Sequence, residues 1–468
     1  MSSALDLALR PASELRDLVA SRQVSAVDVV GAALARVDAL NGTINAVVTL
    51  NPRALDDARD IDRRNAAGEP PGILCGVPVG IKDVTPVQSL RTTYGSPIYA
   101  EYLPDADALA VQRLRVSGAV ILGKTNCPEF AAGGNTFNEV FGRTRNPWNT
   151  ALSAGGSTGG GAAALATGMI ALAEGTDLGG SLRIPASFCG IVGLRPSIGL
   201  VPTYPTDWAW DTLQVTGPMA RTAEDVALML QAMAGPSEFA PQRQSCDSRD
   251  FVSAVRAGVR PGARIAYVAD PARIGVDSRI EQRCRAAAFG LSDESVHVEE
   301  IDLDLSAGRA AFLALRGLWF ATHMAPRMEH ADRFGPNVSN NVRAGLALSV
   351  RDLAEAEQER NRIWERFRDL FSRYDYVVTP CMAMPPFPVE QNYPDSIAGR
   401  PMATYVDWIA PTFVLSLTAL PVASVPCALD EDSMPVGLQI VGRSSDEESV
   451  LALAAVVQKA NPIGLPKL

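Results

Sequence analysis

Two serines stand in two separate glycine-rich stretches, Gly155-Gly156-Ser157-Thr158-Gly159-Gly160-Gly161 and Asp177-Leu178-Gly179-Gly180-Ser181. A serine attacks a carbonyl when a base takes its proton and donors receive the oxyanion that forms. Glycine lets backbone approach a substrate with no Cβ in the way, and successive glycines leave N–H groups pointing into open space. One glycine run alone is as readily an ordinary turn. Two runs with a serine in each, separated by an alanine-rich segment without proline, point to a site. The segment between them has the composition of a buried helix.

Two readings of the base compete. In the first, Gly155-Gly156-Ser157-Thr158-Gly159 is the G-x-S-x-G elbow of an α/β-hydrolase, Ser157 attacks, and an acid and a histidine follow downstream. The chain has three histidines, His297, His323 and His330. His297 lies in an acidic strand-like run and the other two in a helix-like segment, so none ends a strand as that triad requires. The second serine turn also has no part to play. In the second reading Ser181 attacks, and Ser157 bridges it to Lys82. The neutral amine takes the proton through the bridging hydroxyl and later returns it to the leaving nitrogen, a Ser–Lys form of triad logic. Ile73 to Lys82, ILCGVPVGIK, predicts a buried strand that delivers Lys82 at its end. Desolvation there lowers the lysine toward a usable base. A non-catalytic binding protein is the rival of another class; it requires a degraded triad, and all three positions are intact.

At these residues the chain resembles the amidase signature family. The resemblance rests on Gly156-Ser157-Thr158-Gly159-Gly160, on Glu174-Gly-Thr-Asp177-Leu-Gly-Gly-Ser181-Leu-Arg183-Ile-Pro185, and on Gly76-Val-Pro-Val-Gly-Ile-Lys82-Asp83. Gly123-Lys-Thr-Asn-Cys-Pro-Glu-Phe130, Phe188-Cys-Gly-Ile-Val-Gly-Leu-Arg195-Pro196, Gly217-Pro-Met-Ala-Arg221 and Pro435-Val-Gly-Leu-Gln-Ile-Val-Gly442 look like the family too. It implies an α/β fold, a mixed, mostly parallel central sheet covered by helices on both faces. It also implies a Ser–cis-Ser–Lys triad of Ser181, Ser157 and Lys82, and an oxyanion hole made by the N–H groups of Leu178, Gly179, Gly180 and Ser181. Thr158, Asp177 and Arg183 would support the two turns, and Ala131, Gly133 and Gly134 would wall the substrate. Thr158 stands where a serine is usual in the family, and Ser416 and Ala419 where Asn and Gly are common. Nothing resembles the tRNA-binding parts of the amidotransferase branch. The expected activity is hydrolysis of a small, apolar or aryl carboxylic amide, with carbamates (urethanes) and esters open to the same machinery, and without metal or cofactor.

The rest of the 468-residue chain must position these groups. A charge of −10 with 47% hydrophobic and 20% charged residues describes a globular protein unsuited to nucleic-acid phosphate. Met1–Leu9 has no basic residue ahead of its apolar ones, no run is long enough to span a membrane, and seven scattered cysteines fit reduced thiols. These features lead to the expectation of a cytoplasmic monomer or homodimer. Gly118 to Thr125 matches the P-loop pattern G-x-x-x-x-G-K-[ST] letter for letter, but Ala119–Leu122 reads as strand where a phosphate cradle needs a loop.

Residues 13–42 predict two helices, with Ser25 and Asp28 opening the second and Asn41-Gly42 ending it. Thr222 to Asp225 predicts a helix start. Arg351–Arg373 predicts an amphipathic helix burying Leu353, Ile363, Trp364, Phe367, Leu370 and Phe371. The expected organisation is one domain over 1–468: a core at 70–235, a variable, mainly helical substrate-side region at 236–400, and a return to the sheet at 401–468. Residues 131–135, Tyr204–Trp210 and part of 236–400 are expected to close the pocket.

Overall fold

The computed structural model describes residues 4–246, 248–292 and 296–467. Eleven strands form one sheet. In chain order they are β1 (Val47–Leu50), β2 (Pro78–Lys82), β3 (Val120–Thr125), β4 (Leu172–Asp177), β5 (Val192–Arg195), β6 (Val215–Ala220), β7 (Ala263–Tyr267), β8 (Val296–Glu300), β9 (Tyr376–Pro380), β10 (Val422–Leu429) and β11 (Pro435–Val441). They lie side by side in the order β1-β3-β2-β4-β6-β5-β10-β11-β9-β7-β8. The sheet is mixed: β2 runs parallel to β3 and β4, β7 runs parallel to β8 and β9, and the other neighbours are antiparallel. Successive strand residues point to opposite faces. Every residue of β2, β3, β4 and β6 is buried, so helices cover both faces there, as an α/β fold requires.

The alanine-rich segment between the serine turns is a helix only in its first half. Helix Gly159–Ala166 is followed by a turn at Gly168 and then by β4. All residues of both elements are buried, so no periodicity of burial separates helix from strand. The helix is glycine-rich because it lies against backbone: a Cβ on Gly160 would stand 2.3 Å from Asn126 N and 2.7 Å from Ala46 O. The P-loop look-alike is resolved by β3, which contains Gly123, Lys124 and Thr125.

Ser25 caps helix Ala26–Ile44 through a capping box with Asp28. The helix runs past Asn41-Gly42 and ends on Asn45 at φ 56°. Glycine inside a helix costs only about 1 kcal/mol, whereas Asn41 is held by the turn into β1, where its Oδ1 accepts from Ala46 N and Val47 N. Thr222 caps helix Ala223–Met233 as expected, but Asp225 reaches Ala12 N and Ser13 N of an earlier helix.

The 236–400 region is less purely helical than expected, because it supplies β7, β8 and β9 to the sheet. Its helices Gly308–Met324 and Val350–Leu370 build a second apolar core that includes Leu178, Ile184 and Phe188 from the serine-bearing core. On the second of these helices Ile363, Phe367 and Leu370 are buried, as is Phe371 just beyond it, but Trp364 is 39% exposed and Leu353 only half-buried. Residue 364 lies about 100° around the helix from 363, off the buried stripe.

Candidate active site

β2 ends at Lys82, and the side chain is fully buried. Its Nζ donates to Ser157 Oγ at 2.7 Å and to Thr176 Oγ1 at 2.9 Å. Burial brings the ammonium down to about 8, against the opposing pull of Cys127, Glu174 and Asp177. A minor neutral fraction therefore exists at neutral pH and grows on the alkaline side, with its lone pair beside a hydroxyl. Thr176 was not singled out from sequence, although it stands one residue before Asp177 in the motif.

Ser157 follows a cis peptide bond from Gly156. The turn before it is held from outside: Thr136 Oγ1 donates to Gly155 O at 2.8 Å, and Ser153 Oγ accepts from Gly155 N at 3.0 Å. A Cβ on Gly156 would lie 2.9 Å from both Gly133 O and Gly134 C. Gly133 and Gly134 thus pack against the serine turn, whereas Ala131 lines the neighbouring cavity. Thr158 links the turns through its main chain, its N–H donating to Ser181 O at 3.2 Å. Its hydroxyl has no hydrogen-bond partner among the described residues.

The second turn leaves β4 at Asp177. Its carboxylate accepts from Gly180 N at 2.8 Å, Leu182 N at 3.1 Å, Arg183 Nε at 3.0 Å and Arg183 Nη2 at 3.0 Å. Burial pushes this carboxyl up, but Arg183 and Arg195 outweigh it and hold it at about 2. Arg183 continues the network to Thr412 O, Gln439 Oε1 and Ser416 Oγ, at 2.9, 2.8 and 2.7 Å. Ser416 thus meets Arg183 through a hydroxyl at the position where an amide is common. Gln439 and Thr412 lie more than 200 residues along the chain, and no local pattern connects them to Arg183.

One of the four expected oxyanion donors is committed elsewhere: the Gly180 N–H is spent on Asp177. The N–H groups of Leu178, Gly179 and Ser181 take no partner among the described residues. Ser181 is the one residue between Ser153 and Cys189 that is not buried. Ser181, a part-exposed residue flanked by free N–H groups and tied to the Ser157 turn through Thr158 N, is suited to nucleophilic attack on a carbonyl.

A cavity of about 240 Å³ opens beside this cluster. It meets the lysine through Thr176; Ser157 and Ser181 do not line it. Its walls include Tyr94, Phe130, Tyr204 and Trp319. Tyr204 and residues of the 236–400 region contribute as expected, whereas Trp210 is 66% exposed and stands outside the cavity.

None of the histidines is hydrogen-bonded to either serine: His323 Nδ1 faces Trp319 O, His297 is exposed on β8, and His330 is 44% exposed beside Glu329. Lys124, from the P-loop look-alike, is buried against Thr85 O, Thr92 Oγ1 and Asp83, where no phosphate reaches it.

The family model described as Amidase matches residues 28–451. A glutamyl-tRNA(Gln) amidotransferase chain of Roseiflexus sp. (strain RS-1) is 34% identical, over 96% of this chain and 95% of the relative. The acylamidase of Rhodococcus erythropolis is 33% identical, over 96% and 95%. A bacterial aryl acylamidase of the amidase signature family superposes with a TM-score of 0.90 at 29% identity, over 97% of this chain and 96% of that one.

Proposed function

This chain belongs to the amidase family and hydrolyses carbon–nitrogen bonds other than peptide bonds; from that premise we propose that its substrate is a small aryl or apolar carboxylic amide, cleaved through Ser181, Ser157 and Lys82. Ser181 Oγ bonds to the amide carbon while its proton passes to Ser157 Oγ, whose own proton passes to neutral Lys82 Nζ. The carbonyl oxygen becomes an oxyanion, received by the N–H groups of Leu178, Gly179 and Ser181. As the intermediate collapses, the C–N bond breaks and the leaving nitrogen takes a proton from Ser157, which regains one from Lys82. A water molecule then repeats the sequence on the acyl-serine, releasing the acid and restoring Ser181.

The 2.7 Å contact of Lys82 with Ser157, in the turn that Thr158 N ties to Ser181 O, supports this reading. The aromatic cavity supports an aryl or apolar group. Asp177 and Arg183 shape the turn and touch no reacting atom. A panel of anilides, primary amides, esters and carbamates tests the substrate class, since each presents a carbonyl with a leaving heteroatom. A fluorophosphonate adduct should map to Ser181 by peptide mass spectrometry; an adduct on Ser157 that disappears in His330→Ala contradicts the assignment.

A second reading follows from the amidotransferase relative, whose name describes one component of a larger enzyme: this chain would work within an assembly. A chain of net charge −10 is poorly suited to touch RNA itself. Turnover of free anilides by the isolated chain supports the first reading, and amide turnover only in the presence of a partner protein supports the second.

A further inference from the structure

His323 lies on helix Gly308–Met324, in the region expected to close the pocket, and it lines the cavity that Thr176 also lines. Its ring is stacked on Trp319, with centroids 4.0 Å apart and planes at 20°. Trp319 is fixed in turn, because its Nε1 donates to Asp211 Oδ2 at 2.7 Å. His323 Nδ1 lies 3.1 Å from Trp319 O. A carbonyl oxygen only accepts, so Nδ1 carries the hydrogen, and in the neutral ring Nε2 presents a lone pair. Burial favours that neutral ring by lowering the imidazole below its usual range. Nε2 has no partner among the described residues. The nearby charges are matched to each other: Arg327 Nη1 donates to Asp207 Oδ2 at 2.7 Å.

The size of the cavity sets the scale of the ligand. Roughly 150 Å³ accommodates benzene, so about 240 Å³ suits one substituted ring. The stacked, oriented acceptor then meets a substituent on that ring.

We propose that His323 is a specificity-determining residue, whose Nε2 accepts a hydrogen bond from a hydroxyl or amino group on the substrate's aromatic ring. This rests on the amide-hydrolase reading and narrows it to aryl amides that carry a ring donor. Phenolic anilides are the simplest members of that class.

The test compares 4-hydroxyacetanilide with 4-fluoroacetanilide, which is nearly isosteric and has no donor. One buried hydrogen bond amounts to about tenfold in binding. The wild-type protein should favour the hydroxy compound about tenfold in kcat/KM, carried by KM. His323→Phe keeps a ring against Trp319 and should bring the ratio near one. Equal constants in the wild type, or the same preference in His323→Phe, overturns the proposal. If no anilide is hydrolysed, the aryl-amide reading fails on its own, and calorimetric titration with phenol and fluorobenzene still decides about His323. Phenol should bind about tenfold tighter to the wild-type protein; equal binding overturns the assignment even if the variant fails to fold.

Discussion

The N–H of Gly180 points at Asp177, 2.8 Å from Oδ1, and is thereby withdrawn from the proposed oxyanion site. The carboxylate thereby sets the shape of the turn that leaves the N–H groups of Leu178, Gly179 and Ser181 open. Asp177→Asn keeps the size but removes the charge that balances buried Arg183 and Arg195. Breaking such a pair costs about 3–5 kcal/mol. Denaturant unfolding should show a loss of that order, and kcat should fall at least ~100-fold, the scale of a lost oxyanion donor.

The same carboxylate makes folding sensitive to acid. Its folded value of about 2 lies below the ordinary 3.8, so the stabilisation is present above pH 3.8 and is lost as pH falls toward 2. The linked contribution is about 2 kcal/mol. Unfolding free energy measured between pH 5 and pH 2 should decline by about that amount more in the wild type than in Asp177→Asn.

Gly180→Ala should damage the same turn sterically. Gly180 sits at φ +122°, and a Cβ there would stand 2.2 Å from Thr412 Oγ1. The variant should lose stability by more than ~1 kcal/mol and most of its activity. Melting temperature and kcat check both, and wild-type values for both contradict the described turn.

Lys124 is predicted to be structural in spite of its P-loop context. Lys124→Met leaves the buried carboxyl of Asp83, now 3.8 Å from Nζ, without its cation. Stability should fall by about 3 kcal/mol. Calorimetry should detect no ATP binding in either protein, and activity should survive EDTA; ATP binding lost in Lys124→Met contradicts this.

The groups proposed to react were legible in the sequence because they are local: Lys82 closes an apolar run, and each serine stands among its own glycines. The support around them was not. Arg183 is fixed by Thr412, Ser416 and Gln439, which only the folded sheet brings near. Gly180 and its neighbours look equivalent as letters, and only the backbone path shows which N–H turns to Asp177. The alanine-rich segment hid the boundary between helix Gly159–Ala166 and β4, because uniform burial erases periodicity. His323 was weighed in the sequence only as a triad histidine and gave no sign of a place in the cavity, since its environment comes from Trp319 on its own helix and from cavity walls distant in sequence.

Activity should depend on an ionisation at about pH 8, the value to which burial lowers Lys82. The base is the deprotonated amine, so kcat/KM should rise with pH through that value and level off on the alkaline side. A flat profile between about pH 6 and pH 10 contradicts a lysine base.

In the proposed mechanism Lys82 acts as a proton acceptor through Ser157, not as a fixed cation. Arginine keeps the charge but stays protonated throughout the accessible pH range. The decisive measurement is kcat of Lys82→Arg on an amide substrate, with the fold verified by its melting curve. Lys82→Arg should be as inactive as Lys82→Ala; retention of most of the wild-type kcat excludes a lysine base.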